Sequence, residues 1–167
     1  MSYIGQVKED PRAAITAVLG DVRTAMLGLR EPDHAMQPMT LYPDKDGHAI
    51  WFLSSTQTDL VKALDGQGKL AELVVISKDH DAHVSLRGRL SHLHDDAKVD
   101  ELWSAPAAAW FEGGRDDPTI ALLRFDPAEA QIWASTTSAL KFGYEMVRAS
   151  MDDDHQPDLG TKADVRF

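Results

Sequence analysis

Apolar positions along this chain change their period several times, and the changes mark its elements. Asp10 followed by Pro11 has the form of a helix start, with Ile15, Val18 and Leu19 at i, i+3 and i+4 and Gly20 as the stop. Residues 23–30 and 36–42 suit two strands of a hairpin, with Glu31, Pro32 and Asp33 as turn formers between them. After another turn at Asp44 to Gly47, His48 to Leu53 is a nearly continuous apolar run of the kind a buried strand shows, ending at Ser54. Thr56 with Asp59 three residues on approximates a capping box for a helix carrying Leu60, Val61 and Leu64, which Gly66 and Gly68 close.

Residues 70–76 read as a strand, and alternation is clear over residues 82–92. There Val84, Leu86 and Leu90 point one way and Ser85, Arg87, Arg89 and Ser91 the other, which predicts one wet face. Asp95 begins a helix with Val99, Leu102 and Trp103 on one side, and Pro106 disrupts it before an Ala-rich stretch leading to Trp110. Ile120 to Phe125 and Ala130 to Ala134 read as the last two strands, joined across an Asp126-Pro127 turn. A helix from about Ser138 to Ala149 then leads into a polar tail.

Short antiparallel strands interrupted by few helices predict a mainly β (α+β) barrel or sandwich with peripheral helices, not a doubly wound parallel sheet. At 167 residues the chain is the size of one domain, expected over 1–150 with 151–167 as a polar C-terminal extension. With 27 acidic against 17 basic residues and a formal charge of -10, its mean field repels phosphate backbones and anionic lipid. Absence of cysteine excludes disulfides, thiolate nucleophiles and cysteine-ligated metals. No apolar stretch approaches the ~20 residues needed to span a bilayer, and the first residues have no apolar signal core, so a cytoplasmic protein is expected.

The most distinctive segment is residues 103–136, where Trp103, Trp110, Phe111 and Trp133 frame Glu112, Gly113, Gly114, Arg115, Asp116, Asp117 and Pro118. It resembles the C-terminal half of general stress proteins in the pyridoxamine 5'-phosphate oxidase-like family. That resemblance implies a six- to seven-stranded antiparallel split β-barrel that binds FMN or FAD as a homodimer, with the flavin sites at the subunit interface. By the same resemblance Gln37, Pro38, Met39 and Thr40 meet the flavin ring and ribityl chain, and Ser54, Ser55 and Thr58 the phosphate, with Lys62 nearby. A strand-to-helix junction with hydroxyls suits a phosphomonoester on physical grounds too, because free backbone N–H groups and the helix dipole point at it. Trp103 reads as packing. Trp110 and Trp133 are candidates to face the ligand, in the same subunit or in its partner.

Two positions depart from the family's pattern, and both lack a positive charge: Gln37 precedes the Pro-Met pair, and Leu60 stands where a lysine usually follows the hydroxyls. Lys62 lies two residues further on, roughly 200° around a helix. The other motifs point elsewhere. Residues 66–71 match a relaxed dinucleotide fingerprint but follow a helix and precede a strand, the reverse of the required context. His80, His83, His92 and His94 read as surface histidines rather than a metal set, and no serine sits in a nucleophile elbow. Arg87 and Arg89 read as a paired or solvated face. Three function classes stay open: a flavin-dependent oxidoreductase of a small molecule, a non-enzymatic flavin store or sensor, and a split-barrel dimer without cofactor. No catalytic residue is identifiable, since a flavin would carry the electron chemistry itself.

Overall fold

The computed structural model describes residues 2–45, 47–64, 66–136, 139–151 and 159–167. Two helices come first, α1 (Tyr3–Glu9) and α2 (Pro11–Asp21), then strands β1 (Thr24–Leu29), β2 (Gln37–Thr40), β3 (Tyr42–Pro43) and β4 (Ile50–Ser55). The short helix α3 (Asp59–Leu64) leads to β5 (Lys69–Ile76) and β6 (Ala82–Leu93). Helices α4 (Asp96–Leu102) and α5 (Ala105–Ala108) precede the long strand β7 (Ile120–Ser135), helix α6 (Ala139–Met151) and strand β8 (Gly160–Arg166). Among the described residues, no helix is long and apolar enough to cross a membrane.

Every strand pairing is antiparallel, and the sheet runs β2-β1-β5-β6-β7-β4-β3, with β8 added to the second half of β7. This is the expected split barrel. Its two terminal strands, β2 and β3, are consecutive in the chain with only Leu41 between them, so the sheet must curl until its ends meet. The ends do not seal. Each carries a proline, Pro38 in β2 and Pro43 in β3, and a residue without an N–H is tolerated at a sheet's edge or at a bulge. Leu41 is buried, and its N–H donates to the carbonyl of Arg23, so the connector is pinned to the start of β1.

The barrel interior forms one buried cluster with the N-terminal helices. Ile15, Val18 and Leu19 of α2 join Leu27, Phe52, Leu73, Leu86, Phe125 and Ile132 from five strands. Asp10 caps α2 through Ala13 N–H (3.0 Å), as the Asp-Pro pair predicts, and α1 adds Ile4 and Val7. A second, smaller cluster lies on the opposite face of the sheet, where Val99 and Leu102 of α4 cover Trp51 and Leu122. Consequently residues 121–123 of β7 are buried on both faces, whereas Glu129 and Trp133 face solvent.

Three expectations need correcting. Asp126-Pro127 is not a turn: residues 120–135 form a single strand, and the pairing of β6 with β7 shifts between Arg87 and Gly88. Gly88 faces Pro127 and Arg87 faces Glu129, so Ala128 is the extra residue of a β-bulge. One inserted residue reverses the parity of side-chain direction, and the buried positions accordingly switch from 121, 123 and 125 to 130, 132 and 134. Two separate apolar runs in the sequence are thus one strand with a phase change. Gly88 is required there, because a Cβ would collide with the Asp126 carbonyl.

The polar extension expected over 151–167 instead ends in β8, which pairs with β7 from Glu129↔Arg166 to Ser135↔Gly160. Phe167 N–H donates to the carbonyl of the bulge residue Ala128 (3.0 Å), and Arg12 of α2 holds the Arg166 carbonyl and lies over the Phe167 ring. The acidic run at 152–154 lies outside the described residues. Finally, α3 is capped by Thr58 and not Thr56: the Thr58 hydroxyl accepts from Val61 N–H (3.3 Å), while Thr56 N–H donates to the Thr119 carbonyl.

Candidate functional site

A cavity of about 300 Å³ opens at the seam of the sheet. One wall is β2 with Pro38, Met39 and Thr40, continued by Tyr42 of β3. The facing wall is the end of β4, Leu53, Ser54 and Ser55, followed by Thr58 at the start of α3. The third side comes from the chain after α4: Pro106, Ala107, Trp110 and Phe111. Because the two terminal strands are joined through Leu41 yet cannot pair, the space between them is left for side chains or a ligand.

Local bonding explains the hydroxyl end. The Thr58 hydroxyl donates to the Ser55 carbonyl (2.8 Å) while capping α3, the Ser55 hydroxyl accepts from Gln57 N–H (3.2 Å), and Ser54 Oγ lies 3.5 Å from Thr58 Oγ1. Ser54 is itself buried. These groups therefore hold the bend first, and their side chains line the cavity.

The aromatic side is set by the loop over 110–119. Asp117 organises it: Oδ1 accepts from the N–H (2.8 Å) and hydroxyl (2.7 Å) of Thr119, and Oδ2 from Gly113 N–H (3.0 Å). The Thr119 hydroxyl, then the Thr119 and Gly113 N–H groups, hold the Asp117 carboxyl below the usual carboxylate range. Arg115 ties the same loop to α4 through Asp100 (2.5 Å) and the Asp96 carbonyl (3.0 Å). Phe111 is thereby buried against Trp103, ring centres 5.8 Å apart, while Trp110 stays 83% exposed at the rim.

Of the residues singled out from sequence, Pro38, Met39, Thr40, Ser54, Ser55, Thr58 and Trp110 converge on this cavity. Gln37, Lys62 and Trp133 do not line it. Lys62 is exposed in the last turn of α3, and Leu60 is core. Trp133 lies on the outer face of β7, paired across from His83 and Lys162, with the Lys162 ammonium 5.6 Å from its ring. Sequence reasoning passed over Tyr42, Leu53, Pro106 and Ala107, which line the cavity too, and gave Phe111 no role of its own. Their signal was adjacency: Tyr42 follows the Pro-Met strand by two residues, and Leu53 precedes the hydroxyl pair.

The remaining candidates resolve without a site. Arg87 bridges Glu72 (3.6 Å) and Glu129 (3.4 Å) across neighbouring strands. The His92 and His94 rings lie 5.0 Å apart, and burial, then the neighbouring His94, holds His92 below its ordinary value. Among the described residues no three His, Cys, Asp or Glu side chains meet as a metal site.

Residues 10–158 match the family described as "Pyridoxamine 5'-phosphate oxidase like". The chain belongs to that family. Within the pyridoxamine 5'-phosphate oxidase-like proteins its similarity runs to the general stress branch, as the Trp-Phe segment implied. A solved structure from Jannaschia sp. CCS1, described as a general stress protein 26, is 35% identical, with 95% of this chain and 99% of that one covered and a TM-score of 0.80. The general stress FMN/FAD binding protein from Xanthomonas citri is 42% identical over 78% of this chain and 92% of that one, with a TM-score of 0.69. A general stress family protein from Xanthomonas campestris pv. campestris is 42% identical over 79% and 91%, with a TM-score of 0.68. No curated protein matches the chain.

Proposed function

We propose that the seam cavity holds the ring system of a flavin, FMN in the first instance, and that the protein is a flavin-dependent oxidoreductase of the general stress type acting on a small molecule. The observation that carries this reading is the convergence of the Pro-Met strand, the Ser54 to Thr58 bend and Trp110 on one cavity. Membership of the pyridoxamine 5'-phosphate oxidase-like family and the 42% identity to the FMN/FAD binding protein of Xanthomonas citri support it. The chemistry of the walls fits a flat aromatic ligand: Pro38, Met39, Leu53 and Pro106 offer apolar surface, and the hydroxyls of Thr40, Ser54 and Tyr42 offer hydrogen bonds to a polar ring edge.

When bound, the flavin would supply the two-electron chemistry, and the chain's part is to orient it and exclude water. Phe111, locked by Trp103, gives a rigid wall. Trp110 stands free at the rim, where a second subunit in a homodimer would cover it; exposed Phe142, Tyr144, Met146 and Val147 on α6 supply further apolar surface for such pairing. A cytoplasmic setting agrees with a cysteine-free, acidic chain. The second reading is a non-enzymatic flavin store. It is favoured by a lining that, among the described residues, contains no carboxylate, imidazole or ammonium to move a proton.

Titrating the purified protein with FMN and following fluorescence quenching tests the reading. Saturable quenching in the micromolar range is expected, retained in Thr58→Ser and lost in Thr58→Glu, which puts a carboxylate at the mouth. No quenching at high micromolar FMN would refute flavin binding. Turnover of the bound flavin by a reduced nicotinamide then separates oxidoreductase from store.

A further inference from the structure

We infer that the cavity recognises the ring of its flavin and is nearly indifferent to the phosphate, so that unphosphorylated riboflavin binds about as tightly as FMN. The inference rests on the flavin reading above and concerns which part of that ligand the chain reads. Affinity for a phosphomonoester dianion comes chiefly from charge-assisted hydrogen bonds to Arg or Lys and from N–H groups left free at a helix start. The first is absent from the lining, and the second is reduced at the hydroxyl bend to the N–H groups of Asp59 and Leu60.

All cavity-lining side chains among the described residues are uncharged at neutral pH. Three basic groups outside the lining are engaged elsewhere, and Lys62, exposed on α3, does not line the cavity. Arg115 is clamped to Asp100, Lys98 lies between Asp44 and Glu101 and over the Trp51 ring, and Arg124 is paired with Asp126 at 2.8 Å. Burial pulls the Lys98 ammonium down, but Glu101 and Asp44 outweigh it and hold the group above its ordinary value.

The helix end is partly reserved. Helix α3 has six residues, and its third N–H, of Val61, already goes to the Thr58 hydroxyl. Thr56 N–H, Gln57 N–H and Thr58 N–H donate to the Thr119 carbonyl, the Ser55 hydroxyl and the Ser55 carbonyl. Asp59 adds a negative charge in that first turn, and the chain's net charge of -10 opposes a dianion at longer range. Leu60, at the position where a lysine would serve, is 5% exposed and belongs to the core. Against this stands a three-sided lining whose apolar surface, from Pro38, Met39, Leu53, Pro106 and Phe111, suits the ring, and ring burial is common to riboflavin, FMN and FAD.

Parallel titrations of the full-length protein with riboflavin and with FMN, at low and at high salt, decide the matter. Dissociation constants within about threefold of each other, neither moved appreciably by salt, are expected from a neutral site. A preference for FMN of roughly tenfold or more that shrinks as salt rises would overturn the inference while leaving flavin binding intact. Quenching by neither ligand sinks the flavin reading, and this inference with it. Asp59→Lys provides the converse test: it should create a several-fold preference for FMN with riboflavin affinity unchanged. An unaltered FMN-to-riboflavin ratio in Asp59→Lys would show that the bend is not where the phosphate end lies.

Discussion

The wall formed by β5, β6 and β7 and the seam between β2 and β3 are built from one sheet with opposite outcomes. In the wall, β6 is paired on both sides, with β5 from Lys69↔Leu90 to Ile76↔His83 and with β7 from Ala82↔Ala134 to Leu93↔Leu122. Leu73, Leu86 and Ile132 are fully buried behind it. At the seam β2 has four residues, β3 has two, each is paired on one side only, and each contains a proline. The wall spends its backbone groups on pairing and its side chains on packing, whereas the seam leaves a cavity. Stability and ligand chemistry are thus assigned to different stretches of the same sheet.

Truncation tests that division most strongly. Phe125→Ala, in the fully buried interior, should cost about 3–5 kcal/mol in denaturant unfolding. Pro38→Ala at the exposed seam should cost at most about 1 kcal/mol, mostly through the unfolded chain, yet weaken ligand binding. Comparable stability losses at the two positions would break the comparison. Next in size, Gly88→Ala forces a Cβ against the Asp126 carbonyl and should destabilise by about 1–3 kcal/mol without touching the cavity. Unchanged melting of that variant would mean the bulge relaxes freely.

The smallest effect concerns the loop that carries Trp110. Asp117 is held below its ordinary value in the folded protein, so its contribution is fully present above the unfolded carboxylate value and is lost as pH falls through the lower, folded one. Tryptophan fluorescence should therefore change below about pH 4, ahead of global unfolding followed by far-ultraviolet circular dichroism. Asp117→Asn should abolish that early step, and its persistence would assign the transition to another group.

Much of this was legible in the sequence where local chemistry decides the outcome. Asp10-Pro11 and Asp95 mark helix starts because the capping bond is made within three residues. The alternation from Val84 to Leu90 marks a strand because one face is buried. Legibility failed where a distant partner decides. Asp126-Pro127 has the composition of a turn, and only Gly88, remote in sequence, turns it into a bulge. Strand β8 has a weak signal, Ala163, Val165 and Phe167 alternating with Lys162, Asp164 and Arg166, which a polar tail also tolerates. The first helix lacks a side-chain cap at Ser2 and was not anticipated. For the cavity, the Pro-Met strand and the hydroxyl bend were nameable from resemblance. Their partners Pro106 and Ala107 were not, since only folding brings the segment after α4 to the seam.

Joining both ends of a sheet through Leu41 limits how the cavity can breathe. Its jaws are tethered at one end by a single buried residue, so opening takes the form of a hinge swing about that point and not a parallel separation. Any occupant touching both jaws would act as a splint across the hinge, and the slowest amide exchange gained on binding should appear at β2 and the end of β4, far from the already rigid wall.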